Sequence, residues 1–138
     1  MESFGLLIGH LIGDYILQTD WQAKYKVVWG DPTEDAPVWV RKVSNLGHLA
    51  CTTHCILYTL AVWACSCWWM PWWGLVVCFV AHWPIDRWRL AAWWMRNVSG
   101  QSVFADASAS NRMFPWSVVV VDNTAHLLTL FVIGVFAA

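Results

Sequence analysis

The chain is expected to fold as an all-α, four-helix transmembrane bundle with a polar cluster in the cytoplasmic half of the bilayer. Three observations predict this. Of its 138 residues, 59% are hydrophobic and only 12% charged, about half the charged share of an ordinary soluble domain. The apolar residues gather into four long stretches. Three pairs of histidine and aspartate, His10/Asp14, His82/Asp86 and Asp122/His126, lie inside those stretches, each pair four residues apart.

A spanning helix needs about 20 mostly apolar residues. The first stretch, Phe4 to Leu17, is short and spans only if it runs on through Gln18 to about Trp21. The second (Leu46 to Met70), third (Pro71 to Met95) and fourth (Phe114 to Ala138) are long enough. Pro84 lies between His82 and Asp86 and should kink the third helix, shifting the relative aim of the two side chains. Pro115 suits the first turn of the fourth. Residues 30–37, Gly-Asp-Pro-Thr-Glu-Asp-Ala-Pro, read as a polar loop, and 97–113, rich in Ser, Ala, Gly and Asn, as a mobile cytoplasmic loop. The N-terminal Met-Glu-Ser-Phe lacks the basic start of a signal peptide, so the first helix should be retained. Residues 1–138 are thus expected to form a single transmembrane domain.

The net charge of −1 gives no sign of nucleic-acid binding. The placement of charge says more. All eight Lys/Arg fall between the first two helices (Lys24, Lys26, Arg41, Lys42) or at and after the inner end of the third (Arg87, Arg89, Arg96, Arg112). With four spans these segments share one side. The positive-inside rule makes it cytoplasmic and puts both termini outside. Of thirteen tryptophans, eight cluster near the expected interfaces, as anchors do: Trp68, Trp69, Trp72 and Trp73 at the outer turn, and Trp83, Trp88, Trp93 and Trp94 near the inner end of the third helix. The five cysteines form no CxxC pattern. They are expected to be free, apolar-behaving residues.

Residues i and i+4 share a helix face, so each His/Asp pair forms a two-pronged chelate. Ionisable groups at membrane depth are costly and usually functional. Helix 2 adds His48 and His54. Their six-residue separation turns about 240°, so only one can face the site; His54, in the more continuous apolar run, is chosen. Measured from the basic ends, these groups lie about 8–18 Å deep, in one layer. The metal-ligand set is therefore His10, Asp14, His54, His82, Asp86, Asp122 and His126, with His48 and Gln18 as outer partners. Seven donors exceed one zinc ion and suit two with a bridging aspartate. Zinc is the expected metal, with manganese or iron as alternatives for a mixed His/carboxylate set. Asp20 is assigned to proton transfer. Lys24, Arg87 and Arg89, near the inner mouth, are candidates to hold a phosphate or lipid headgroup.

The run His10-Leu-Ile-Gly-Asp14-Tyr-Ile-Leu-Gln-Thr-Asp20-Trp-Gln-Ala-Lys24, with His54-Cys-Ile-Leu-Tyr-Thr, His82-Trp-Pro-Ile-Asp86 and Val121-Asp122-Asn-Thr-Ala-His126, resembles a family of small bacterial and bacteriophage membrane proteins catalogued as a domain of unknown function. The likeness covers nearly the whole chain. More distantly, the sequence is similar to membrane-bound metal-dependent hydrolases. These resemblances imply a multi-pass protein of the bacterial inner membrane with a hydrolase-like metal site. The expected activity is hydrolysis of a lipid or lipid-linked phosphate ester, the bilayer being both surroundings and substrate source. The alternative is a non-enzymatic small membrane protein, a metal or proton conductor or one acting as a homo-oligomer. Conduction calls for polar residues along the whole path, and the outer half of these helices is almost wholly apolar. Haem held by two histidines would not need the aspartates.

Overall fold

In the computed structural model, residues 2–26, 38–105 and 116–137 are described. The expected loop at 30–37 and the helix start at Phe114-Pro115 lie outside them. The described residues are helical, without strands: α1 (Glu2–Leu11) running into a π turn (Ile12–Ile16), α2 (Asp20–Tyr25), α3 (Val38–Cys65), α4 (Trp72–Arg87), α5 (Leu90–Asn97), α6 (Ser102–Ala105) and α7 (Trp116–Ala137). The four longer helices α1, α3, α4 and α7 pack as neighbours around a ring, α1 on α3, α3 on α4, α4 on α7 and α7 on α1. Each neighbour runs antiparallel to the last.

Glycine sets the closest of these contacts. Gly5, Gly9 and Gly13 recur every four residues on α1 and face α3. A Cβ on Gly9 would lie 2.5 Å from the Cα of Val62, and one on Gly5 would collide with the Cys65 carbonyl. Small residues at such spacing let two helix backbones approach, a device common where lipid offers no hydrophobic drive to association. Below this seam, Leu6, Tyr58, Val62, Met70, Cys78, Leu130 and Ile133 form the apolar core.

Two helices, over Leu46–Cys65 and Trp116–Ala137, are long and apolar enough to cross a membrane; Phe4–Ile16 is apolar but shorter. The third expected segment is not one helix. It breaks at Trp88-Arg89, where Arg89 takes the left-handed conformation with φ 50°, leaving α4 with 16 residues. Pro84, in contrast, lies within a continuous α4. Proline removes one backbone bond, yet the turn following it closes, with Trp88 N–H donating to the Pro84 carbonyl at 3.1 Å. Residues 98–105, placed in a loop by their composition, include the short helix α6.

Around the apolar core, several ionisable groups are buried while many large apolar side chains are exposed. His10, His54, His82, His126, Asp86 and Arg87 are buried, whereas Trp72, Phe131 and Phe136 are among many large apolar side chains turned outward. Soluble monomers keep such apolar patches small and rarely bury charges in this number.

Candidate metal centre

The cluster begins with the π turn. Inserting one residue between α1 and Leu17 widens the helix, and Leu17 N–H bonds back to the Ile12 carbonyl at 2.9 Å. Turns of this type recur at functional sites. Here the turn carries Asp14, whose two oxygens face opposite ways. Its Oδ1 lies 3.1 Å from His54 Nε2 and 3.6 Å from His82 Nε2. Its Oδ2 lies 3.4 Å from His10 Nδ1 and 3.7 Å from His126 Nδ1.

On the first side, α3 supplies His54 and α4 supplies His82 and Asp86. The two Nε2 atoms are 3.1 Å apart, and Asp86 Oδ2 is 3.2 Å from His54 Nε2 and 3.1 Å from His82 Nε2. Four donors around one zinc, with bonds of about 2.0–2.1 Å, stand about 3.3 Å from each other along the edges of the tetrahedron. Five of the six separations among Asp14 Oδ1, His54 Nε2, His82 Nε2 and Asp86 Oδ2, all but that between the two aspartates, cluster about that value, from 3.1 to 3.6 Å. Hydrogen bonding fits them less well. Two facing imidazole nitrogens carry at most one shared proton in a single bond, and each of these also faces carboxylate oxygens.

On the second side sits His126 of α7, buried and stacked on His82 with centroids 4.0 Å apart. Neither of its ring nitrogens has a hydrogen-bond partner. Its Nδ1 stands 3.6 Å from Asp122 Oδ2 and 3.7 Å from Asp14 Oδ2. These gaps are too long for hydrogen bonds but close to a ligand-to-ligand edge. Among the described residues, Asp14–His54–His82, Cys55–His82–Asp86 and Asp86–Asp122–His126 each gather three donor atoms within 4.8 Å of one another.

His10 plays another part. The Tyr58 hydroxyl donates to its Nδ1 at 3.1 Å and its Nε2–H donates to Asn123 Oδ1 at 2.8 Å. Asn123 is held in turn by donating to the Val119 carbonyl at 3.0 Å and to the Tyr15 hydroxyl. With both nitrogens engaged, His10 buttresses Asp14 and offers no free lone pair.

A cation already belongs to the cluster. Lys26 Nζ is 2.9 Å from Asp86 Oδ2 and 3.4 Å from His54 Nε2. Burial alone would lower the affinity of this amine for its proton; Asp86 and Asp14 outweigh it and hold the ammonium above its ordinary range. Thr19 and Gln22 place Lys26 through a capping box: Gln22 N–H bonds to Thr19 Oγ1 at 3.2 Å and Thr19 N–H to Gln22 Oε1 at 2.9 Å. Gln22 Nε2 then reaches Thr53 on α3 at 3.4 Å.

A cavity of about 220 Å³ opens from the cluster, lined by Asp14, Asp86, Asp122, Lys26, Arg89 and Gln18, among others. Of the three carboxylates Asp122 is the most exposed, at 30% against 11% for Asp14 and 2% for Asp86.

The remaining sequence-derived candidates lie elsewhere. Asp20 sits exposed in the first turn of α2, where an acid suits the helix dipole, and does not line the cavity. Lys24 is exposed, its ammonium 5.4 Å from the Tyr25 ring centre. Arg87 is buried and donates to the Lys26 carbonyl at 3.4 Å, bracing the chain beside Gly47. His48 is exposed and stacks on Trp83, with ring centres 5.8 Å apart. Lys26, Tyr58 and Asn123 were not among the sequence-derived site residues. Tyr58 was accessible as the i+4 neighbour of His54, and Asn123 adjoins Asp122.

Comparison with known proteins gives one match: residues 3–138 correspond to a family described as "Protein of unknown function (DUF3307)". No curated protein and no solved structure matches the chain.

Proposed function

The chain belongs to the DUF3307 family, and from that premise we propose that it is a membrane-embedded, metal-dependent hydrolase acting on a lipid or lipid-linked phosphate ester. The observation that carries this reading is the placing of His54 and His82 Nε2 within 3.1–3.6 Å of each other and of both Asp14 and Asp86, with Asp14 turning its other oxygen to His126. Three carboxylates meet one ammonium at this point. Asp14, His54, His82 and Asp86 would hold a divalent cation that offsets the excess negative charge, and His126 and Asp122 would help to hold a second. Zinc suits the donors, with manganese or iron as alternatives.

Four spans cross the bacterial inner membrane, α1, α3, α4 and α7, with both termini outside. The outward apolar surface and the gathering of Lys/Arg at one end support this. Both α1 with its π turn and α4 are short for a bilayer of about 30 Å, so the cluster lies where the hydrocarbon is thinnest and closest to water.

A divalent cation held there would supply Lewis acidity toward a phosphoryl group and water. The residues do the rest. Lys26 and Arg89 hold the phosphate oxygens at the cavity mouth. Asp122 accepts the proton that water loses as its oxygen bonds to phosphorus. The ester P–O bond breaks, and the departing alcohol takes a proton from solvent at the open side. Conduction is disfavoured, because the space behind the His82–His126 stack is closed by Tyr58, Cys78 and Leu130.

The test is elemental analysis of the purified protein together with phosphate release from phosphatidic acid in mixed micelles, for wild type and Asp14→Ala. Support is about two metal equivalents and chelator-sensitive turnover, both lost in the variant. Metal-free wild-type protein would sink the centre, and metal-loaded protein that releases no phosphate would sink the hydrolase.

A further inference from the structure

Cys55 follows His54 on α3 and is fully buried. Its Sγ, one ring nitrogen of His82 and one carboxylate oxygen of Asp86 all lie within 4.8 Å of one another. The trio overlaps the cluster of Asp14, His54, His82 and Asp86 and adds sulfur to it. Two features set this thiol apart from a cysteine that merely packs. The buried Cys51, one turn earlier, gives its own S–H to the Trp83 carbonyl at 3.6 Å, and the two sulfurs stand 4.0 Å apart. Cys55 therefore has one weak sulfur contact on its own helix and two metal-ligand side chains facing it from α4. The second feature is His82 itself. This member of the trio is 1% exposed, and its Nδ1 is buried without a hydrogen-bond partner. A buried polar atom left so is costly, and its place in the trio points to a ligand.

We infer that Cys55 is a thiolate ligand of the cation held by His54, His82 and the two aspartates, so that this site takes zinc in preference to magnesium or manganese. The inference rests on the reading of the cluster as a metal centre. Charge supports it. Lys26 is paired with Asp86 at 2.9 Å, so its ammonium already cancels one carboxylate. A dication would then face Asp14 alone, leaving one positive charge in excess where unbalanced charge is costly. A thiolate removes that excess. Asp14, Asp86 and Cys55 bring three negative charges, and Lys26 with the dication brings three positive, both imidazoles being neutral. Binding exchanges the thiol proton for the cation, and the proton passes to the buffer. Softness then sorts the ions: carboxylate and water suit magnesium and manganese, whereas thiolate with imidazole suits zinc.

X-ray absorption of the zinc-loaded wild-type protein reads the inference without a variant. A sulfur shell at about 2.3 Å is expected beside nitrogen and oxygen at about 2.0–2.1 Å. Cobalt(II) assigns the sulfur. Cobalt-loaded wild type should show a thiolate-to-metal charge-transfer band in the near ultraviolet. A variant combining Cys51→Ala, Cys65→Ala, Cys67→Ala and Cys78→Ala keeps Cys55 as its one thiol and should keep the band. Cys55→Ser should lose it while retaining the weaker visible bands of bound cobalt, and its preference for zinc over manganese should fall. Bound zinc with only nitrogen and oxygen neighbours would overturn the Cys55 assignment and leave the metal centre standing. A band that persists in Cys55→Ser, or is missing from the four-alanine variant while its visible cobalt bands remain, would put the sulfur on another cysteine and overturn it too. Wild-type protein that takes up neither zinc nor cobalt would overturn the centre together with its sulfur ligand.

Discussion

His54 Nε2 and His82 Nε2 face each other at 3.1 Å, between the carboxylates of Asp14 and Asp86. Both Nε2 atoms are turned to carboxylate oxygens, while each ring's Nδ1 is buried without a hydrogen-bond partner, where unsatisfied polar groups cost most. His54→Ala and His82→Ala should therefore each release metal while leaving the helices formed. Circular dichroism would keep its helical signal, and the bound metal would fall from about two equivalents to one or fewer. Full metal content in both variants would place the ion elsewhere.

Asn123 lines the polar cavity and accepts from His10 Nε2 at 2.8 Å, and His10 in turn stands 3.4 Å from Asp14. Direct partners of a metal ligand typically tune affinity by about 10–100-fold, and Asn123, one step further out, should act at the low end. Asn123→Ala should weaken zinc binding within that range, measured by competition with a chelating dye, without lowering the saturating stoichiometry. A drop in stoichiometry would instead mean that His10 or Asp14 itself leaves the site.

The difference between these two cases shows what the sequence made legible. Pairs four residues apart on one helix are set by helix geometry alone, so His82–Asp86 and Asp122–His126 could be read before any fold was known, and Pro84 did not spoil the first. By helix angle only one of His48 and His54 could face the site, and the more continuous apolar run around His54 chose between them. Whether α1 and α4 span the bilayer could not be read from apolar length alone, and α4 proved shorter because the chain breaks at Arg89, where neither glycine nor proline marks a stop. Lys26 was hidden for another reason. Its position depends on a capping box in α2 and on the Gln22–Thr53 contact, which are tertiary facts. The Gly5-x3-Gly9-x3-Gly13 stripe was visible in the sequence and announces the α1–α3 seam.

That seam gives a stability prediction. Gly9→Leu forces a side chain into the space where even a Cβ would stand 2.5 Å from Val62 Cα. Overpacking of this kind costs about 1–3 kcal/mol or more. Because Asp14 is carried on the same helix, metal binding should weaken in parallel. Urea or SDS titration of the variant reads the first effect and zinc competition the second. An unchanged unfolding midpoint would show that α1 and α3 do not approach this closely.

In the turn between α3 and α4, Cys67 adopts φ 54° and is exposed. A left-handed conformation costs a non-glycine residue about 1–2 kcal/mol, and glycine escapes the penalty. Cys67→Gly should raise stability by about 1 kcal/mol, less what glycine loses in unfolded-chain entropy. The metal and phosphate readouts should not change, since the turn is remote from the cluster. Destabilisation by this variant would mean that the Cys67 side chain holds the turn through a contact stronger than the backbone strain.

Lys26 offers the sharpest separation between apo and metal-bound protein. Removing one partner of a buried ion pair costs about 3–5 kcal/mol, because the other charge is stranded. Lys26→Met should therefore destabilise the metal-free protein by an amount of that order. The sign with pH follows from the raised affinity of this amine for its proton. Its contribution is present in full below the ordinary lysine value of 10.5 and is lost only as pH climbs through the higher folded value, so the penalty should be flat across neutral pH. Zinc should restore much of the loss, since a dication at Asp86 replaces the missing ammonium. The stabilisation gained on adding zinc should thus be larger in Lys26→Met than in wild type, as read from denaturation midpoints with and without metal. A zinc effect equal in the two proteins would show that the ion and the ammonium do not share the Asp86 carboxylate.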